Sequence, residues 1–202
     1  MQLNSLYGLV VCGGESLRMG EDKSVLSYHN LPQRYFLYKM LEKHCEKVFI
    51  SCNKKQGDSI DDFYNFIIDK PNYTGIGPMA SLLSAFDTYN DVSFLVIGCD
   101  YPFITENDIV TLIKKRTQYN EAVCFFDDKN LIEQPLLAIY ENQILNQLTK
   151  KFELKQYGLK SFLKNIKTEK IIPNQEDKLL SIDTIEQYNW AFEKINSTNN
   201  NL

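Results

Sequence analysis

Two kinds of hydrophobic run alternate along this chain. Short continuous apolar runs read as buried strands, and longer runs with apolar residues every third or fourth position read as amphipathic helices. Leu6 to Cys12, Lys47 to Cys52, Asn65 to Ile68 and Ser93 to Cys99 are strand-like, the last being the most continuous. Pro32 to Glu46 sets Tyr35, Leu37, Tyr38, Leu41 and Cys45 at helical spacing. Pro78 to about Asp87 reads as a helix whose proline suits the first turn. Next come a helix over Ile104 to Tyr119, a strand over Glu121 to Phe126, a turn at Asp127-Asp128-Lys129-Asn130, and a returning strand over Glu133 to Tyr140. Pro135 fits a sheet edge, where its missing N–H is not needed. Helices at Gln143 to Phe152 and Gly158 to Asn165, a short strand at Lys170 to Ile172 and a last helix to about Lys194 complete the series. Such alternation predicts an α/β fold, a mostly parallel sheet with helices on both faces.

The 202 residues fit one domain, expected over residues 1–195, followed by a polar tail at 196–202. Apolar residues at 44% and charged residues at 24% are ordinary for a folded globular chain. No apolar run is long enough to span a bilayer, and Met1-Gln2-Leu3-Asn4 lacks the basic and apolar regions of a signal peptide, so the expected location is the cytoplasm. A net charge of −4 gives no bulk attraction to nucleic acid or anionic membranes, and neither is an expected partner. The five cysteines form no C-x-x-C pair and the two histidines show no ligand spacing, so reduced, mostly buried thiols are expected.

One stretch carries the chemistry: Val11-Cys12-Gly13-Gly14-Glu15-Ser16-Leu17-Arg18-Met19-Gly20-Glu21-Asp22-Lys23. A strand ending in paired glycines exposes backbone N–H groups without Cβ obstruction, which makes an anion cradle. Arg18 and Lys23 add positive charge, so a polyphosphate is the expected ligand. A Walker A loop is excluded, because Glu21 and Asp22 separate Gly20 from Lys23. The dinucleotide fingerprint fails on glycine spacing, and the second strand ends in Ser51-Cys52-Asn53 with no ribose-binding acid. Asp100 follows the fourth strand. In an open α/β sheet that position faces the crevice where Gly13 and Lys23 point, and Mg²⁺ bound to a nucleoside triphosphate gives a carboxylate there a purpose.

The stretch resembles the signature of the molybdenum cofactor guanylyltransferase family, commonly written L-A-G-G-x-S-x-R-M-G-x-D-K. Val11 stands for Leu and Cys12 for Ala, and the remaining positions agree. Gly77-Pro78-Met79-Ala80-Ser81 resembles the family's G-P-L-A-G element, Cys99-Asp100-Tyr101-Pro102-Phe103 its C-D-x-P-[FY], and Gln134-Pro135-Leu136-Leu137-Ala138 its Q-P-L-x-A. The resemblance implies the three-layer, Rossmann-like nucleotide-diphospho-sugar transferase (GT-A-like) fold. It also implies transfer of GMP from GTP to molybdopterin with release of pyrophosphate. Arg18 and Lys23 would then hold the triphosphate and Asp100 the Mg²⁺. Backbone at Val11, Cys12, Gly13 and Gly14 would hold the nucleotide, with Asn53 and Asp69 as guanine and ribose contacts or ordinary loop caps.

Cytidylyltransferase relatives carry A-A-G where this chain has Cys12-Gly13-Gly14, which favours GTP over CTP. The family's N-x-N-T-P-E-[ED] segment, which approaches the pterin, reads here Ser181-Ile182-Asp183-Thr184-Ile185-Glu186. Ser181 and Asp183 replace its asparagines, and Asp183 would also serve as N-cap of the last helix. Lys155 and Lys160 are the cations available where family members carry arginine, and would equally be solvated surface lysines. Molybdoenzyme delivery proteins are compatible partners. The alternatives are a nucleotidyltransferase using CTP or a sugar or polyol phosphate, and a non-catalytic nucleotide-binding protein in cofactor delivery.

Overall fold

The computed structural model describes residues 3–12 and 22–199. Its seven-stranded sheet has the order β3-β2-β1-β4-β6-β5-β7. The strands are β1 (Leu6–Val11), β2 (Lys47–Cys52), β3 (Phe66–Ile68), β4 (Ser93–Gly98), β5 (Ala122–Asp127), β6 (Ile132–Tyr140) and β7 (Thr168–Ile171). The β1–β2, β2–β3, β1–β4 and β5–β7 pairs are parallel, and β6 runs antiparallel to both of its neighbours. The expected mostly parallel sheet is what forms.

Helices cover both faces, because successive residues of a strand point to opposite sides. Leu6, Val10 and Cys12 of the first strand segment pack beneath α1 (Gln33–Glu42) and α4 (Glu106–Lys114), with Leu37, Leu41, Ile109 and Leu112. Tyr7, Leu9 and Val11 face the other layer: α3 (Pro78–Thr88), α5 (Leu145–Glu153) and α6 (Leu159–Lys164). Gly8 lies on the α1 side, where an added Cβ would sit 3.0 Å from Leu41, so the glycine lets α1 approach β1 closely. The remaining helices are a short α2 (Lys54–Gly57) and the final α7 (Ile185–Asn199).

Four expectations change. The helix expected over Ile104 to Tyr119 covers only Glu106–Lys114. It closes with Lys115 N and Arg116 N donating to Leu112 O and Ile113 O, and Arg116 pairs with Glu141. The final helix continues past Lys194 to Asn199, with Asn196 Nδ2 donating to Phe192 O at 2.8 Å and Ser197 Oγ to Lys194 O at 3.0 Å. Pro135 lies in an interior strand. It is tolerated because the β4 pairing stops at Leu137 and the β5 register slips between Cys124 and Phe126, so no ladder needs its N–H. Asp183 does not cap α7: Thr184 Oγ1 accepts from Gln187 N, and Gln187 Oε1 accepts from the N–H groups of Asp183 and Thr184.

Candidate active site

The carboxyl ends of β1, β2, β3 and β4 lie along one edge of the sheet, as parallel pairing requires. Cys12, just beyond β1, donates its N–H to Ser51 O at 2.9 Å, and Val11 O accepts from Cys99 N at 3.0 Å. Cys12, Cys52 and Cys99 thus come level on three adjacent strands. All five cysteines are free, and all but Cys45 are buried. Gly13, Gly14 and Arg18 lie outside the described residues.

The chain is described again from Asp22, whose carboxylate accepts from Ser24 N at 2.9 Å and so caps a 3-10 turn over Lys23–Val25. Lys23 Nζ forms an ion pair with the Asp183 carboxylate, and Ser181 Oγ donates to the same carboxylate at 3.3 Å. Asp183 is brought there by a backbone contact, Ile182 N donating to Asp100 O at 2.8 Å. Lys23, Asp100, Ser181 and Asp183 therefore converge from three separate stretches of sequence.

Asp100 is half-buried two residues past β4. Burial pushes its carboxyl up to about 6; its own backbone N–H and the Lys23 ammonium favour the ionised form, and Asp183 opposes it. Gly98 makes room for this carboxyl: a Cβ there would collide with Asp100 Oδ1. Thr105, not Asp100, caps α4, forming a capping box with Asp108 at its start. Tyr101 OH donates to Gln134 Oε1 at 3.2 Å, which joins the Asp100 turn to the start of β6.

Asn53 and Asp69 stand at the ends of β2 and β3. Asn53 Oδ1 accepts from Gln56 N at 2.9 Å and caps α2, and its side chain is otherwise exposed. Asp69 Oδ1 accepts from Ser51 Oγ at 2.9 Å. Burial raises the Asp69 carboxyl, and the Ser51 and Ser81 hydroxyls counter it. Gly77, at φ +65° and ψ −151°, turns the chain into α3 through a conformation that glycine alone adopts readily. Lys155 and Lys160 are both exposed, with Lys155 in the left-handed region at φ +57°.

The sequence reading overlooked Gln56, a buried side chain whose carboxamide nitrogen donates to Cys12 O and to Asp22 Oδ2, each at 3.0 Å. Asn53-x-x-Gln56 is legible as a capping box, and that was the available signal; the two longer contacts left none.

Side chains alone do not build a closed metal cage: no group of three or more His, Cys, Asp or Glu residues suited to a metal forms among the described residues. Carboxylate oxygens at Asp100 and Asp183 suit a hard cation that keeps most of its ligands from water and phosphate, as Mg²⁺ does. No described helix is long and apolar enough to cross a membrane.

Three likenesses bear on this arrangement. A "Molybdenum cofactor biosynthesis bifunctional protein" of Synechocystis sp. is 29% identical over 185 residues, covering 91% of this chain, which spans about half (52%) of that relative's length. A "Molybdenum cofactor guanylyltransferase" of Campylobacter jejuni subsp. doylei is 26% identical over 188 residues, covering 93% of this chain and 96% of the relative. The crystal structure of molybdopterin-guanine dinucleotide biosynthesis protein A from Archaeoglobus fulgidus superposes with a TM-score of 0.76 at 19% identity, covering 95% of this chain and 99% of that one, and shows the same fold. The family model described as the MobA-like NTP transferase domain matches residues 8–171. This chain belongs to that family and is a nucleotidyltransferase.

Proposed function

We propose that this chain transfers GMP from GTP to the terminal phosphate of molybdopterin and releases pyrophosphate. The observation that carries the reading is the convergence of Lys23, Asp100 and Asp183 at the carboxyl edge of β1 and β4, between the two sequence motifs of the family. The name of the Campylobacter relative, a molybdenum cofactor guanylyltransferase, supports a guanylyl donor and a molybdenum cofactor acceptor.

An oxygen of the acceptor phosphate attacks the α-phosphorus of GTP, forming a new P–O bond. The bond from that phosphorus to the oxygen bridging to the β-phosphate breaks, and pyrophosphate departs with the electron pair. The attacking oxygen is already ionised at neutral pH, so no Ser, Cys or His nucleophile is needed. The work left to the protein is positioning and charge neutralisation.

Lys23 leaves Asp183 for the β- and γ-phosphates, where charge accumulates on the leaving group. Arg18 shares that task, and backbone at Val11, Cys12, Gly13 and Gly14 would hold the nucleotide. Asp100 would hold Mg²⁺, which would supply charge neutralisation at the phosphates. Asn53 meets guanine through its exposed amide nitrogen, and Asp69 accepts from the ribose hydroxyls. Ser181 and Asp183 face the acceptor. The same reading places the enzyme in the cytoplasm.

The test is to incubate the protein with Mg²⁺, molybdopterin and either GTP or CTP and to follow pyrophosphate. Release with GTP is expected. Release only with CTP, or only when a sugar phosphate replaces the pterin, would overturn the assignment.

A further inference from the structure

We infer that Gln56 is a positioning residue for the nucleotide site, fastening the strand end before the phosphate loop to the turn that follows it and to Asn53. The nucleotide part of this inference rests on the reading above; the fastening itself does not.

Both N–H groups and the oxygen of the Gln56 carboxamide are engaged. Its oxygen accepts from Asn53 N at 3.1 Å, and its nitrogen donates to Cys12 O and to Asp22 Oδ2, each at 3.0 Å. Reversing the amide would turn its oxygen toward two acceptors, so the orientation is fixed. The side chain is only 8% exposed, and water competes little for these bonds.

The partners are what make Gln56 more than a helix cap. Cys12 is the last described residue before the loop and Asp22 the first after it, 44 and 34 positions from Gln56. Asp22 uses its other carboxylate oxygen to cap the turn that begins with Lys23. Asn53 receives a backbone N–H from Gln56 as well. One side chain thereby sets the spacing between Lys23, the end of β1 and Asn53, three points that a bound nucleotide would span.

Backbone hydrogen exchange tests the fastening without substrate. In Gln56→Met, the Ser24 amide should exchange at least about tenfold faster, since a bond to a charged partner is lost, while β4 amides keep their protection. Unchanged Ser24 exchange, or equal loss of protection throughout the sheet, would overturn the inference. Gln56→Glu is isosteric and serves where the Met variant folds poorly. Its carboxylate would face Cys12 O and Asp22, and adding Asp22→Asn returns one hydrogen bond with donor and acceptor exchanged. Exchange at Ser24 should recover partly in the double variant, and no recovery would count against the fastening.

Calorimetry with GTP and Mg²⁺ tests the nucleotide part. Gln56→Met should weaken binding about tenfold, and its KM should rise for GTP and stay level for molybdopterin. Equal affinity in the variant would overturn this part. If the wild-type chain bound no GTP, the proposed function would fall, and the exchange result would still decide whether Gln56 fastens Cys12 to Asp22.

Discussion

Lys23 and Asp183, 160 positions apart in the chain, form an ion pair with the ammonium largely buried and the carboxylate about half exposed. A triphosphate that claims Lys23 must first displace that carboxylate. A partly exposed pair of this kind is worth ~0.2–1 kcal/mol. Asp183→Asn should therefore tighten GTP binding, by up to about fivefold, in a calorimetric titration. Lys23→Ala in the same titration should weaken it by about tenfold or more. Looser binding in Asp183→Asn would show that the carboxylate serves the metal rather than competing for the lysine.

Asp100 is the carboxylate on which the proposed metal role depends, and its backbone carbonyl is engaged by Ile182 whatever the side chain does. Asp100→Ala should lower pyrophosphate release by about 100-fold or more while circular dichroism stays native. Full turnover in this variant would remove Asp100 from the metal site.

The same carboxyl gives the ligand-free protein a defined pH response. Burial raises it from 3.8 to about 6, so the folded chain keeps a proton that the unfolded chain releases across that interval. Stability therefore falls as pH rises from about 4 to about 6, by ~1–3 kcal/mol for this group. Asp69, also raised by burial, acts in the same direction. Urea unfolding of wild type and Asp100→Asn at about pH 4 and about pH 7 isolates the Asp100 part: the variant should gain stability relative to wild type only at the higher pH. A difference that does not vary with pH would contradict the burial argument.

Much of the fold was legible because β1 and β4 are buried on both faces, and unbroken apolar runs are hard to misread. The approach of the Asp100 turn to Lys23 was legible because a parallel sheet sends successive strand ends to one edge. What escaped depended on partners distant in sequence. Arg116 sits inside a convincing helical pattern, yet the helix stops at Lys114 and Arg116 pairs with Glu141, 25 positions on. Asp183 has the chemistry of an N-cap, but Thr184 and Gln187 perform that task and Lys23 takes its carboxylate. Pro135 suggested a sheet edge, since a register slip in the neighbouring strand leaves no local signal.

Gly98 offers a test of how tightly the Asp100 carboxyl must be placed. An added Cβ would meet Asp100 Oδ1 and lie 3.2 Å from Leu136. The carboxyl is the free end of a side chain and yields more readily than the packed leucine. Gly98→Ala should thus cost ~1–2 kcal/mol of stability and lower turnover by about tenfold to 100-fold. Wild-type turnover in a folded Gly98→Ala protein would show that the carboxyl has room to move without harm.

Arg116 and Glu141 form a bidentate pair, at 2.7 and 2.9 Å, with both side chains only 6% exposed. Ser93 Oγ also donates to Glu141, and Asn4 O accepts from Arg116 at 3.1 Å. Ser93 begins β4, whose far end carries Gly98 and leads to Asp100, so this network closes the end of the sheet opposite the site. Removing one partner strands a buried charge, and Arg116→Ala should lose ~3–5 kcal/mol in urea unfolding. Replacing both, as in Arg116→Met with Glu141→Leu, should recover much of that loss, because two buried charges vanish together. In either variant the folded fraction should keep the wild-type KM for GTP. A raised KM would mean that disturbance at one end of β4 reaches Asp100 at the other, and that the two ends are not energetically separate.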